Sequence, residues 1–268
     1  VKQQPLQFGT GRHLFGILSL PARLSGRPAI LLPNTGVEHR VGPNRLHVHL
    51  SRAFTELGFP TLRMDLSGMG DSGLAPDGST ADSVQDQQAA LDELQRLRIA
   101  DRFIGIGLCS GGHDVHRLAK VDRRLVAAAF MDHYVWPTPR HYITRLAQRF
   151  SESRRLRNYV MRKFQELRES EKERFRGEEI IYFEQPSRRQ FDADVQDFMQ
   201  RQLSLFFLFT GEIQNLYNYR EQLLDACPRL RGYSQLRLHY MPEADHAFTL
   251  QRMRTALMET LGGWLRSL

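Results

Sequence analysis

The chain has 268 residues, 41% of them hydrophobic and 25% charged, which suits one sizeable domain with a buried core. No apolar run approaches the about 18 residues that a membrane-spanning helix requires, and the opening "VKQQPLQF" lacks a signal-peptide layout, so a cytoplasmic protein without a membrane span is expected. The two cysteines, Cys109 and Cys227, are read as reduced thiols. The net charge of +7 is local: residues 140 to 163 hold eight Lys or Arg and one acidic residue, Glu152, with no zinc-finger or RNA-binding signature, which argues against nucleic acid.

In chain order, "LQFGTGRHLFGILSLP" reads as a hairpin around Gly9, Thr10 and Gly11. Strand and amphipathic helix then alternate: "AILLPN", a helix over 44 to 57, "PTLRMDL", a helix over 80 to 97, "RFIGIGL", a helix over 111 to 120, and "RLVAAAFMD". This order predicts crossover units and an α/β protein with a mainly parallel sheet. The rhythm breaks from about Trp136 to Gln202. There Ile143, Leu146, Phe150, Leu156, Val160, Phe164 and Leu167 recur at helical spacing, so a helical cap is expected over 137–202 between core segments 1–136 and 203–268. The strand "LSLFFLFTG", a helix around 218 to 226, the strand "LRLHYM" and a last helix over 248 to 265 complete the chain. No internal repeat is present.

The turn "GLCSGG", Gly107 to Gly112, follows a strand and opens a helix, where a parallel sheet exposes functional groups. A nucleophile elbow needs small residues two before and two after the nucleophile, because the bend crowds them. Cys109 satisfies this with Gly107 and Gly111, whereas Ser110 would be flanked by Leu108. Cys109 is therefore the expected nucleophile, and the Ser110 N–H an oxyanion donor. A dinucleotide fingerprint fails because Ser110 fills its last glycine slot.

Among ten histidines, His246 in "YMPEADHAF" follows the last strand and is the expected base. His47 and His49 read as residues of a surface helix without a third metal ligand, and His113 and His116 flank the elbow helix. An acid following the strand after the insertion would fall at Gln214, an amide. Asp132, at the end of the strand before the insertion, is the expected acid, with Glu212 the alternative.

Through the hairpin, "LLPNTG", "RMDLSGMGDS", "GLCSGG" and "EADHAF", the chain resembles the α/β-hydrolase superfamily along nearly its full length. The resemblance implies an eight-stranded, mainly parallel sheet flanked by helices with a helical cap. "AFMDHYVWPTP" resembles the segment by which haloalkane dehalogenases carry their acid, in support of Asp132. The G-x-C-x-G elbow is similar to those of dienelactone hydrolases and polyhydroxyalkanoate synthases. "NTGVEHRVGPNR" and "DLSGMGDS" look most like a group of hydrolases from bacterial exopolysaccharide and natural-product clusters. It further implies a second oxyanion donor from the loop after the third strand, here Val37 N–H with Gly36 as the alternative, and a structural role for Asp65 in its turn.

A thiolate is favoured by an imidazolium and a helix N-terminus, and its attack on an acyl carbon gives a thioester. The expected activity is hydrolysis of acyl esters or thioesters through Cys109, His246 and Asp132, without metal or cofactor. The alternatives are acyl transfer by the same groups, or a non-catalytic binding protein, motivated by Gln214 and the altered oxyanion loop. Phe150, Leu156 and His113 are candidate contacts to the acyl substrate. Arg145, Arg149, Arg154, Arg155 and Arg157 are candidates for docking an acyl carrier protein or a coenzyme A thioester.

Overall fold

The structure is a computed structural model, and it describes residues 1–80, 82–147 and 185–268. Its eight strands are β1 (Lys2–Phe8), β2 (Leu14–Leu20), β3 (Ala29–Leu32), β4 (Thr61–Asp65), β5 (Phe103–Leu108), β6 (Leu125–Met131), β7 (Ser204–Thr210) and β8 (Leu236–Met241). They form one sheet in the order β1-β2-β4-β3-β5-β6-β7-β8. The β1–β2 and β2–β4 pairs are antiparallel and every other pair is parallel.

The helices are α1 (Leu46–Glu56), α2 (Ser83–Arg96), α3 (Ser110–Val121), α4 (139–147 within the described residues), α5 (Arg188–Gln200), α6 (Gln222–Ala226) and α7 (Gln251–Arg266). The central strands read as unbroken apolar runs because both faces of the sheet are covered. Along β5, Phe103 joins the core beneath α2, α3 and α5, while Ile104, Ile106 and Leu108 join the core beneath α1 and α7. Strand β7 alternates in the same way, with Leu205, Phe207 and Phe209 on one face and Phe206 and Leu208 on the other. No helix among the described residues is long and apolar enough to cross a membrane.

Two expectations differ from the structure in detail. Helix α5 lies within the stretch expected as a cap, 137–202, yet Phe191, Val195 and Phe198 are buried in the sheet's own core. Their spacing of four and then three residues lines one helical face, so 188–200 belong to the core layer. His47 is also buried, contrary to its reading as a surface residue. Gly42 and the Thr35 hydroxyl cover it, the latter 3.3 Å from His47 Nε2, and burial lowers its pKa to about 4.

Candidate active site

Strand β5 runs into α3 through Cys109, whose backbone stands at φ 56° and ψ −124°, a conformation that costs a non-glycine residue about 1–3 kcal/mol. The turn holds because its neighbours are glycine. A Cβ on Gly107 would lie 2.1 Å from the Gly111 carbonyl oxygen, and one on Gly111 would lie 2.4 Å from the Asn34 carbonyl oxygen. Both obstacles are backbone and cannot move aside. Cys109 N–H donates to Met131 O at 2.9 Å, fixing the thiol beside the end of β6.

Asp132 follows immediately on β6. Its backbone N–H donates to Leu208 O at 2.9 Å, and its own φ is 46°. The carboxylate is buried and accepts from Thr210 N–H at 2.7 Å through Oδ1 and from the Thr210 hydroxyl at 2.7 Å through Oδ2. Oδ2 also lies 2.7 Å from His246 Nδ1. Glu212 has a different place: its Oε2 accepts the backbone N–H of His246 at 2.5 Å. It holds the loop, and Asp132 holds the ring. Within the same loop, the Asp245 carboxylate accepts the Thr249 N–H and hydroxyl.

With Nδ1 bonded to Asp132, the other group that acts on this imidazole is the Cys109 thiol, which favours its protonated form. Burial alone would depress the His246 pKa, but the hydrogen bonds and charges of Asp132 and Cys109 outweigh it and raise it to about 10. The ring is thus poised as an imidazolium across neutral pH. Thr210, which donates twice to Asp132, has no motif of its own in the sequence; only its place at the end of β7 could have suggested it.

The loop after β3 faces the elbow. Asn34 donates to Asp65 Oδ1 at 2.9 Å and to Glu38 O at 2.7 Å, and accepts Leu66 N–H at 2.7 Å. Asp65, fully buried, also accepts the Arg40 N–H, the Arg40 guanidinium and Asp71 N–H, so its carboxylate is taken up in organising the turn. His39, Asp65 and Asp71 form an acidic and imidazole cluster of the kind that can hold a cation, but the Arg40 guanidinium binds both carboxylates there. Gly36 N–H donates to the Ser110 hydroxyl at 2.6 Å, a contact that the sequence does not announce. This engages one of the two loop N–H groups considered as the second oxyanion donor, beside the Ser110 N–H. Val37, the other, belongs to an exposed side chain at the rim.

A cavity of about 550 Å³ opens beside the elbow, bordered by Gly36, Val37 and Ser110, walled by Leu66, Met69 and Tyr134, and reaching His113, Asp114, Ser83 and Arg117. His113 is buried and stacked on Tyr134 at 4.2 Å between ring centroids; burial lowers its pKa to about 3, so it presents a neutral ring. Arg145 is half-buried on α4. Phe150, Leu156, Arg149, Arg154, Arg155 and Arg157 lie outside the described residues.

A three-layer sandwich with a cysteine on a strained strand-to-helix turn and an imidazole on the last loop defines a class before any comparison. The family model described as "Alpha/beta hydrolase family" matches residues 39–260, and the chain belongs to that family. No curated protein sequence matches it. Similar solved structures include the esterase domain of a Rhodothermus marinus protein, 17% identical with a TM-score of 0.59 over 99% of both chains. An esterase of Pyrococcus furiosus is 13% identical with a TM-score of 0.60, covering 99% of this chain and 91% of the other. A dienelactone hydrolase from Anabaena variabilis is 13% identical with a TM-score of 0.56, covering 99% and 97%. At these identities the likeness is one of fold.

Proposed function

We propose that the protein hydrolyses acyl esters or thioesters through a covalent thioester on Cys109, with His246 as acid and base and Asp132 as the group that orients it. The observation that carries this reading is the imidazole held by Asp132: Asp132 Oδ2 lies 2.7 Å from His246 Nδ1, and the Cys109 thiol on the neighbouring strand end favours the protonated ring. Both partners stand at the carboxyl ends of adjacent parallel strands, where rigid backbone fixes their separation.

In the proposed reaction the Cys109 thiolate attacks the acyl carbon, forming the S–C bond as the carbonyl electron pair moves to oxygen. The Ser110 N–H and the Val37 N–H receive that oxyanion; a donor of this kind is worth about 3 kcal/mol. On collapse the leaving alkoxide or thiolate takes its proton from the His246 imidazolium. The now neutral ring removes a proton from water, the hydroxide attacks the thioester, and the thiolate leaves with the ring protonated again. Gln214 motivated a non-catalytic reading; the 2.7 Å contact of Asp132 with His246 Nδ1 supports the catalytic one.

The test is steady-state turnover of short-chain p-nitrophenyl esters and acyl thioesters. Wild type is expected to release product in a reaction that Cys109→Ala abolishes and Ser110→Ala retains in part. Adding amine, alcohol or thiol acceptors, including coenzyme A, separates hydrolysis from acyl transfer: product carrying the acceptor means transfer. Absence of Cys109-dependent turnover with every activated acyl donor would overturn the proposal.

A further inference from the structure

The cavity beside the elbow changes character along its length. At the elbow it is bordered by Gly36 and by Ser110, the residue after Cys109, and Leu66 and Met69 supply an apolar wall. Its far end holds Asp114, Ser83 and Arg117, three polar residues from α3 and the start of α2. A site meant only for an aliphatic tail would have no use for this end, since each polar group would lose water on tail binding without a partner.

The charges there are unevenly matched. Arg117 is the one cation among the described residues that line the cavity, and it is committed: its NH2 donates to both Asp82 oxygens at 2.8 and 2.6 Å, and NH1 donates to Ser83 Oγ at 3.1 Å. Asp114 lies 4.0 Å from the guanidinium, beyond hydrogen-bond distance, and accepts the Ser83 hydroxyl at 2.5 Å. Asp86, a further carboxylate nearby, is held by Ser67 N–H and the Ser67 hydroxyl and lies 3.9 Å from His13 Nε2. Asp114 is mostly buried, and burial pushes its pKa up; the Ser83 hydrogen bond and the Arg117 charge offset part of that rise, and the smaller effects of Asp82 and Asp86 add to it. Burial still outweighs Arg117, so the carboxylate form is held there at a disadvantage that a closer cation from outside would reduce.

We infer that the far end of this cavity binds a positively charged amino group carried by the acyl part of the substrate, with Asp114 as its counter-ion and Ser83 as the neighbouring polar contact. This rests on the proposed acyl chemistry at Cys109 and adds the substrate class. A terminal ammonium would donate to Asp114 while the chain lies along Leu66 and Met69, and the reacting carbonyl meets the elbow at the opposite end. A terminal carboxylate would face Asp114 and be repelled, because Arg117 is already neutralised by Asp82.

The test compares thioesters of matched length that end in methyl, hydroxyl, ammonium or carboxylate, on wild type, Asp114→Asn and Ser83→Ala. The ammonium series is expected to exceed the methyl series in kcat/KM by roughly tenfold, the scale of one hydrogen bond to a charged group, and the carboxylate series to fall below both. In Asp114→Asn the ammonium-to-methyl ratio should fall close to one; Ser83→Ala should reduce it less. A methyl or carboxylate preference in wild type, or an unchanged ratio in Asp114→Asn, would overturn the inference. Acetyl thioesters, too short to reach Asp114, report the Cys109 chemistry separately. If no thioester turns over, calorimetric binding of the corresponding ω-amino and alkyl primary amides to wild type and Asp114→Asn decides the question without catalysis. Equal binding of the two amides by wild type would overturn the inference on that route.

Discussion

Replacing Asp132 by Asn probes the shared imidazole with almost no change in volume. Asp132 accepts three hydrogen bonds, two from Thr210 and one from His246. Asn has one acceptor oxygen, and the buried Thr210 N–H claims it, which turns the amide NH2 toward His246 Nδ1. Nδ1 must then accept, the proton moves to Nε2, and the ring can no longer take a proton from the thiol. The pKa falls as well: Asp132 is a main reason that His246 is raised from 6.5 to about 10, and without it burial is opposed by Cys109 alone. The full rise corresponds to about 4–5 kcal/mol between protonation states; partial exposure of the ring screens this to about 2–3 kcal/mol. The loss of the correct tautomer adds to it, and a comparable Asp-to-Asn change in a serine triad lowers kcat by about 10⁴. We expect kcat/KM for acyl esters to drop by about 10²–10⁴, and alkylation of Cys109 by iodoacetamide at pH 7 to slow by at least about tenfold. Glu212→Gln, which alters only the support of the His246 backbone N–H, should cost far less. Equal losses in the two variants, or a larger loss in Glu212→Gln, would refute the assignment of Asp132.

Further outcomes follow from the same geometry. Thr210→Val keeps the β-branch and the backbone donor but removes one hydrogen bond to Asp132, so stability should fall by about 1 kcal/mol and kcat by about tenfold, read by denaturant titration and ester turnover. Gly107→Ala places a methyl group 2.1 Å from the Gly111 carbonyl and should cost more than about 3 kcal/mol; a melting temperature equal to wild type would contradict the elbow geometry. The folded-state pKa of His246 lies above its ordinary value, so its ion pair with Asp132 contributes fully below pH 6.5 and is lost as pH rises toward about 10. The stability gap between wild type and Asp132→Asn should accordingly narrow over that interval, as thermal melts at graded pH would register.

The fold was legible because its signals are local. Unbroken apolar strands alternating with amphipathic helices require a parallel sheet covered on both faces; six strands stand where that pattern puts them, and β1 and β2 stand where the opening hairpin was read. The tight turn at Cys109 was legible for a steric reason, since Gly107 and Gly111 flank it and any side chain at either would strike backbone. The choice between Asp132 and Glu212 stayed open because both lie at the ends of neighbouring strands, and sequence carries no record of side-chain direction there. Contacts between distant residues were invisible for the same reason: Thr210 on Asp132, and Gly36 on Ser110. Helix α5 was drawn into the cap because it lies in the stretch without strands; only the packing of Phe191, Val195 and Phe198 separates it. His47 was placed outside because a single helix pattern does not reveal a loop folded over its polar side.

The central claim is that Cys109 carries the acyl group, and intact-mass spectrometry after brief mixing with an acyl thioester tests it most directly. The account predicts a mass increase of one acyl group on wild type, mapped to Cys109, absent from Cys109→Ala and present in Ser110→Ala. In His246→Ala the adduct should form slowly. An adduct that persists in Cys109→Ala and disappears in Ser110→Ala would contradict it.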